Sequence, residues 1–557
     1  MVVLLCVALV FAYGAVFWSS GSRAGRVSMI ALAILGTASL WTYGLRPALM
    51  PTYLAAVILI VGGARLRHYM RTWLSAGGFV RRIVGGAVRI ALCLVPVGCA
   101  VLTALTWVGE PPASTGRYSV GTFDWVLTDR GRMEVYTQDP NDTRQILVRV
   151  WYPSEAMPDD PVRRAAWVDS IAAHRQEYIS GAVAQGFMGE MLPPPVATLL
   201  AGGMHRLVSP GASGIPLAPG AGRFPVLLFS PGYGMPIDLS AAHLAEIASH
   251  GYVVLGVNVS YETAVTQLPD GRILRPRDMV RQDETKESFE LEQSLGATAR
   301  ALLPEMIELM DLPEPQRKAR YLELRWQRMP GERFLVTAID QRVLDLRQVL
   351  TELELVANGT VRNLLTGRVD LERVGVFGMS LGGPTAGQFC LVDSRCQAGL
   401  NYDGEIWGEQ LTRMDARVPF MWLRGPAGSK QGEAYSLGIA YLFEASTGPA
   451  YYGEIEGMEH MYFTDLAFLM PVFNWLGLPL RQMLSEPDYV LQGRQTALDY
   501  TVAFFDRYLK QRDSPLLRQV GRVGKSAAHA AVQFKRRNVA PPRRGDRLNK
   551  TDDYLRR

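Results

Sequence analysis

The sequence predicts an α/β protein with a mostly parallel central sheet, helices on both faces and a helical cap insertion, preceded by a multi-span helical membrane region. Three observations support this prediction. Short, continuously apolar runs alternate with helical stretches between about residues 224 and 511, as buried parallel strands and their connecting helices do. A glycine-flanked serine lies where one of these strands passes into a helix. Four long apolar stretches precede residue 110.

The glycine-flanked serine is Ser380, at the centre of a Gly-x-Ser-x-Gly turn that follows the β-prone residues 374–377. This sequence between a strand and a helix is typical of the nucleophile elbow of the α/β-hydrolase fold, a sharp turn that lifts the serine hydroxyl above the sheet. Gly378 and Gly382 are needed because side chains there would collide with the neighbouring strand and helix. Ser380 is therefore the predicted nucleophile.

Composition limits the classes of function. The chain has 557 residues, of which 48% are apolar and 20% charged, a mixture that indicates a soluble domain joined to a membrane part. Much of the net charge of +5 comes from the last segment, and no basic stripe with interleaved aromatic residues occurs elsewhere, which argues against a nucleic-acid partner. The five cysteines lack metal-ligand spacing with histidines, so no metal site is predicted.

The four apolar stretches predict a membrane region of about four helices over residues 1–110. Each stretch is near the ~20 residues that a helix needs to cross a bilayer, and almost no acidic residue interrupts them. They are about Val2–Trp18, Val27–Leu45, Leu49–Gly63 and Ala87–Val108. A cleaved signal peptide is the alternative for the first stretch, but that stretch lacks a basic start and further spans follow it.

The arginines predict the orientation of this region. They crowd the third connection between the spans and also occur in the first, whereas only Arg46 lies in the second. The positive-inside rule then places the first and third connections in the cytoplasm, and the N-terminus and everything after residue 110 outside it. The expected location is a multi-pass protein of the cell membrane with its catalytic domain on the extracytoplasmic side.

The other elements follow from hydrophobic patterning. Arg144–Tyr152 alternates apolar and polar residues, as an antiparallel edge strand does. The apolar run Phe224–Ser230, the helix Leu239–Ser249 and the strand Tyr252–Val257 form a βαβ unit. Thr337–Val356 is predicted to be a helix beside the elbow strand.

Two stretches do not fit this pattern. Residues 154–221 mix short amphipathic pieces with proline and glycine clusters, and we expect an insertion near the active-site mouth. Charged helical stretches at Phe289–Leu312 and Lys318–Gln327 predict a helical cap over about residues 262–332, where substrate selectivity would reside.

The predicted hydrolase domain spans residues 111–511 and ends with an amphipathic helix at Thr496–Gln511. Residues 512–557 become basic and lose periodicity, which predicts a disordered tail. Cys390 and Cys396 either form a disulfide in an exported domain or are two buried thiols.

His460 is the predicted general base. A serine hydroxyl is a weak nucleophile and needs a base that a third group holds, and in this fold the chain order is serine, acid, histidine. Only His460 and His529 follow Ser380, and His529 lies beyond the last predicted helix. His460 follows the strand Ala450–Ile455 and a turn, which is where the fold places its base.

Asp403 is the predicted acid. In such folds the strand at the position of Val418–Leu423 often carries the acid at its end. Here Arg424 follows that strand, and no carboxylate does. The preceding strand, Ala398–Tyr402, leads directly into Asp403. Weaker alternatives are Asp393, Glu405 and Asp415, and we expect Asp465 to be a structural partner within the loop of the base.

The backbone N–H groups of Tyr233 and Leu381 are the predicted oxyanion hole. In this fold one donor follows the nucleophile and the other lies in a loop after an earlier strand. The loop Pro231–Gly234 directly follows the apolar run that ends at Ser230. In isolation this loop is typical of an ordinary tight turn, and its position after that strand favours the catalytic role.

These motifs together resemble a known family. They are Phe229-Ser-Pro-Gly-Tyr-Gly, Ala248-Ser-His-Gly-Tyr-Val-Val, Gly378-Met-Ser-Leu-Gly-Gly, Tyr402-Asp-Gly and Glu459-His-Met-Tyr-Phe-Thr-Asp. Over about residues 140–511 the chain resembles the platelet-activating-factor acetylhydrolase group, close to the dienelactone-hydrolase-like esterases. The resemblance implies a serine esterase without metal or cofactor, with the same five site residues as above. Pro231 and Met379 stand where many members have histidine.

The sequence thus predicts a membrane-anchored serine hydrolase that cleaves carboxylic esters of short or medium acyl chain, including phospholipid-derived ones, through an acyl-enzyme. One alternative is an acyltransferase with the same triad that acts on envelope lipids or sugars, and the sequence does not separate transfer from hydrolysis. The other is an inactive hydrolase-like membrane scaffold, against which the complete Ser/Asp/His order argues.

Overall fold

The structure is a computed structural model, and part of the chain is described in it. The described residues are 34–35, 52–57, a few isolated positions up to 99, 111–137, 139, 141–155, 164–166, 208–219, 222–263, 265–274, 294, 297–298, 301–408, 410, 415–469, 489–526 and 529–538. Most of the predicted membrane region and of the insertion at 154–221 lies outside this part. Among the helices within it, none is both long and apolar enough to cross a bilayer.

The chain divides into two compact units, and the strands and helices named below lie in the one formed by residues 110–194, 205–469 and 478–557. Its strands, in chain order, are β1 Ser119–Met133, β2 Thr143–Ser154, β3 Arg164–Ala166, β4 Val208–Ser213, β5 Phe224–Ser230, β6 Val253–Val257, β7 Thr266–Gln267, β8 Ile273–Leu274, β9 Val369–Met379, β10 Cys396–Tyr402, β11 Phe420–Arg424, β12 Ala450–Ile455, β13 Gly521–Val523 and β14 Val532–Arg537. Its α-helices are α1 Ala241–Ser249, α2 Leu303–Glu308, α3 Gln316–Arg328, α4 Arg333–Ala357, α5 Gly382–Val392, α6 Lys430–Ala445, α7 Leu466–Leu469 and α8 Tyr489–Leu509.

In the described part of the chain, twelve strands form one sheet in the order β13-β14-β12-β11-β10-β9-β5-β6-β2-β1-β4-β3, and β7 and β8 form a separate hairpin. The middle of the large sheet, from β12 through β9 and β5 to β6, is parallel. All seven residues of β5 are buried, as expected of a strand covered on both faces. The predicted mostly parallel sheet is therefore confirmed.

Side chains of the elbow strand β9 alternate between two helical layers, as the period of a strand requires. Val374 and Val376 belong to the core cluster that includes residues of α4 and α5. Phe377 points the other way, with its ring centroid 5.9 Å from that of Phe505 in α8. A Cβ added to Gly375 would lie 2.7 Å from the Phe505 ring, so this glycine lets α8 approach the sheet. The helices therefore cover both faces.

The predicted cap is helical in its described second half. Helices α2 and α3 pack on α6 through a small apolar cluster that includes Met306, Tyr321, Leu324 and Leu437. Of the first predicted helical stretch, Phe289–Leu312, the structure describes residues 294, 297–298 and 301–312. Helix α2 lies in the last part of this stretch and confirms the helix there.

Two features differ from the sequence-based expectations. The predicted disordered tail is wrong for residues 521–523 and 532–537, because β14 pairs antiparallel with β12 and β13 pairs with β14. Val532 and Phe534 are buried while Gln533 and Lys535 are exposed, so a strand with one charged face extends the sheet. The antiparallel strand β2 is also not an edge, since it lies between β1 and β6.

A disulfide joins Cys390, near the end of α5, to Cys396, at the start of β10. It ties the helix after the nucleophile to the strand that leads to the predicted acid. Of the two alternatives that the sequence left open, the structure has the bridged one.

Candidate active site

The turn at Ser380 has the geometry of a nucleophile elbow. The serine follows β9 and precedes α5, with φ of 54°, a left-handed conformation that is strained for a residue with a side chain. A Cβ on Gly378 would lie 2.2 Å from the carbonyl oxygen of Gly382, and one on Gly382 would lie 1.9 Å from that of Ser230. Both contacts are impossible, so the turn requires glycine at each position.

The structure brings three predicted side chains together at the carboxyl edge of the sheet. His460 Nε2 lies 3.0 Å from Ser380 Oγ, and His460 Nδ1 lies 2.8 Å from Asp403 Oδ2. A carboxylate accepts from Nδ1–H, which leaves Nε2 as the acceptor for the serine hydroxyl. This is the hydrogen-bonded order of nucleophile, base and acid.

Asp403 is held by the end of the neighbouring strand. Its φ is 51°, and its backbone N–H donates to the carbonyl oxygen of Leu423 at 2.9 Å. Arg424, which follows Leu423, places its Nε 3.9 Å from Asp403 Oδ1 and donates to the carbonyl oxygen of Gly425. Strand β11 therefore ends in a cation, Arg424, beside the predicted acid. The sequence did not predict this contact.

Asp465 anchors the loop that carries His460. Its carboxylate accepts hydrogen bonds from the Ala242 N–H at 2.7 Å and from Arg494 at 2.9 Å, and its own N–H donates to the Leu239 carbonyl oxygen. Burial raises the pKa of Asp465 to about 6. These contacts give Asp465 the structural role that was predicted for it.

The other candidate acids, and the histidine that was rejected as the base, have partners elsewhere. Asp393 pairs with Arg395, Glu405 with Arg325, Asp415 accepts from Thr447, and His529 binds Asp499. None of these four contacts involves Ser380, His460 or Asp403.

The two predicted oxyanion donors flank the serine. Tyr233 and Leu381 both line the cavity that Ser380 opens into. A Cβ added to Gly232 would lie 3.3 Å from Ser380 Cβ, so the peptide that leads into Tyr233 passes against the nucleophile. The Tyr233 ring packs edge-on against Phe334, with centroids 5.9 Å apart.

The cavity has a volume of about 370 Å³, within the range of small-molecule sites. Its walls beyond the site residues combine apolar and aromatic side chains with a few polar ones. They are Leu335, Glu405, Trp407, Arg424, Gly432, Tyr435, Ser436 and Ile439. The cavity is open to an organic ligand of modest size that reaches the serine hydroxyl.

Comparison with protein families matches residues 108–277 to the family described as platelet-activating factor acetylhydrolase, isoform II. The matched segment is well under half of the chain, includes Tyr233 and ends before Ser380. A search of curated proteins found no match.

Among solved structures, a ferulic acid esterase from Streptomyces cinnamoneus is similar, with a TM-score of 0.50 and 23% identity. The similarity covers 77% of this chain and 99% of the other. It shows an α/β-hydrolase-type fold. The prediction of a carboxylic ester hydrolase is supported by the family match.

Proposed function

We propose that this protein is a serine hydrolase that cleaves carboxylic esters through an acyl-enzyme formed on Ser380. The observation that carries the proposal is the chain of two hydrogen bonds from Ser380 through His460 to Asp403, at the base of an open cavity. A base within 3.0 Å of a serine hydroxyl, itself oriented by a carboxylate, is the arrangement that activates serine at neutral pH.

The reaction has two halves. Ser380 Oγ attacks the ester carbonyl carbon while its proton passes to His460 Nε2, and the carbonyl oxygen becomes an oxyanion that accepts from the N–H groups of Tyr233 and Leu381. The intermediate collapses, the C–O bond to the alcohol breaks, and His460 donates its proton to the leaving oxygen. Water then attacks the acyl-enzyme with His460 as base, and the acid is released with Ser380 restored. Asp403 stabilises the imidazolium in both halves.

The cavity favours esters of short or medium acyl chain. Its volume of about 370 Å³ lies toward the lower end of small-molecule sites, and Leu335, Trp407 and Ile439 offer apolar contacts. A phospholipid-derived ester fits the same chemistry when the rest of the lipid stays outside the cavity.

We also propose that residues 1–110 anchor this domain to the cell membrane, with the domain on the extracytoplasmic side. The four apolar stretches and the uneven arginines support the anchor and its orientation. The disulfide between Cys390 and Cys396 fits an oxidising compartment. Protease should digest the domain in intact cells, and digestion only after lysis would overturn the orientation.

Hydrolysis of p-nitrophenyl esters from acetate to palmitate, by wild type and Ser380→Ala, tests the esterase. We expect turnover of the shorter esters and a loss of about 10⁴- to 10⁶-fold in the variant. Equal turnover by both proteins, or none by wild type, would refute the proposal. Addition of alcohol or sugar acceptors separates the alternative, since an acyltransferase would yield transfer product in excess of free acid.

A further inference from the structure

Arg342 lies on the buried face of α4, directly behind the loop that carries Tyr233. Its side chain is 1% exposed. The guanidinium donates from Nη1 to the Pro231 carbonyl oxygen at 2.6 Å and from Nη2 to that of Gly232 at 3.4 Å. Nε and Nη2 also donate to Glu262 Oε2, at 3.0 and 2.7 Å, and Glu262 is itself 1% exposed.

Stability alone is a poor reason for this arrangement. Taking two charges out of water carries a large desolvation penalty, and well-packed apolar residues often replace a buried ion pair without loss of stability. The neighbours Ile339, Val343 and Leu346 on α4 belong to the apolar core. The buried Asp345, three residues on, already pairs with Arg132 and Arg144, so Arg342 is not needed to neutralise it. The two hydrogen bonds to carbonyl oxygens indicate that Arg342 fixes the conformation of the 231–234 loop.

The loop peptide explains what those contacts achieve. The carbonyl of Gly232 and the N–H of Tyr233 belong to one planar trans peptide, so they point in opposite directions. A guanidinium that holds the carbonyl oxygen on the α4 side therefore turns the N–H to the other side. Gly234 follows with φ of 71°, which lets the chain turn away after this peptide.

We propose that Arg342, held by Glu262, is a positioning residue that aims the Tyr233 N–H at the oxyanion formed when Ser380 attacks. The inference rests on the proposed function, since it deepens the role of the oxyanion hole in that reaction. Arg342 itself stays behind the loop and acts through the peptide between Gly232 and Tyr233.

Arg342→Met tests this role. With the guanidinium removed, the Gly232 carbonyl oxygen keeps its hydrogen bond from the Met235 N–H at 3.3 Å but loses its contact with α4, so the Tyr233 N–H is held less firmly toward the oxyanion. We therefore expect kcat for a p-nitrophenyl ester to fall about 10²-fold while KM changes little. Arg342→Lys keeps a cation with three donors and should recover part of kcat. All rates are divided by the concentration of folded protein whose active site is intact, as measured by active-site titration. A kcat for Arg342→Met within about threefold of wild type would overturn the proposal.

Arg144→Met is the matched control. Arg144 is also 1% exposed, and it pairs with Glu134 and with Asp345, which lies three residues after Arg342 on α4. Its replacement removes a buried cation of the same kind from contacts away from the 231–234 loop. We expect this control to lose stability and to keep kcat per folded molecule. An equal loss of kcat in both variants would assign Arg342 a purely structural role.

The rate at which a fluorophosphonate labels Ser380 separates this inference from the esterase itself. Its phosphoryl oxygen takes the oxyanion position, and labelling needs no ester turnover. If wild type labels without hydrolysing esters, the esterase fails, and slower labelling of Arg342→Met still supports the positioning role. Equal labelling rates would overturn it, and absence of labelling in wild type would overturn both. Should the methionine variant not fold, Glu262→Gln, which weakens the hold on Arg342, is compared in the same way.

Discussion

Two loops at the carboxyl edge of the sheet differ in what they offer the reaction, although a buried arginine holds each of them. The loop of residues 231–234 offers a backbone N–H, and Arg342 contacts it through carbonyl oxygens. The loop of residues 403–408 offers the Asp403 side chain and two cavity walls, and Arg325 contacts this loop from the cap helix α3.

The contacts of Arg325 are of another kind. It lies 3.3 Å from Glu405 and 3.4 Å from Glu332, donates to the Ile406 carbonyl oxygen at 3.2 Å, and stacks over the Trp407 ring at 4.1 Å. Glu405 and Trp407 both line the cavity. The cap is therefore tied to the walls that substrate would touch, whereas Arg342 is tied to the peptide that would bind the oxyanion.

The largest effect is expected where the second loop supplies chemistry. Asp403→Asn should lower kcat about 10⁴-fold, because an amide favours the wrong tautomer of His460 and does not stabilise the imidazolium. Ester hydrolysis at saturating substrate measures this. Asp415→Asn, which alters an earlier candidate acid, is the control and should keep wild-type kcat. Retention of most activity by Asp403→Asn would assign the acid elsewhere.

A smaller effect, of a different kind, is expected at the cap. Arg325→Met leaves Glu405 without its buried cation, while Glu332 keeps its ion pair with Arg328. The free energy of unfolding should therefore fall by about 3 kcal/mol. Because Glu405 and Trp407 contact Arg325 and line the cavity, KM should rise several-fold while kcat of the folded protein stays near wild type. Urea unfolding and steady-state kinetics measure the two effects.

Arg320→Met is the control for this change. Arg320 lies on the same helix but is 35% exposed and bridges Glu305 and Glu323, so its loss should change the free energy of unfolding far less than the loss of Arg325. If Arg325→Met instead lowered kcat alone, with KM unchanged, the contrast between the two arginines would be wrong.

The smallest effect is expected at the Tyr233 side chain. Since its proposed donor is the backbone N–H, Tyr233→Phe should keep kcat within about threefold of wild type and retain the packing against Phe334. A much larger loss, measured on the same esters, would show that the phenol takes part and that the first loop also works through a side chain.

The sequence was most informative where structure is local. The continuous apolar run Phe224–Ser230 coincides with β5, and the glycines around Ser380 reported a turn that no larger residue could make. The basic composition after residue 512 concealed β14, because its exposed face is charged. The alternation of Val532 and Phe534 with polar residues was the available signal.

The candidate site was partly predictable for the same reason. The order of serine, acid and histidine in the chain identified the three residues that the structure brings together, and elimination at Arg424 led to Asp403. The positioning contacts were not predicted, since Arg342 and the Pro231–Gly234 loop are distant in sequence. A charged residue amid Ile339, Val343 and Leu346 was the one local sign.

The acyl-enzyme itself tests the central claim most directly. Wild-type protein is mixed with p-nitrophenyl acetate, quenched rapidly in acid, digested and analysed by peptide mass spectrometry. We predict an acetyl group on the peptide that contains Ser380 and none on the corresponding peptide of Ser380→Ala. Acetylation confined to other residues, or equal release of nitrophenol by the two proteins, would contradict the account.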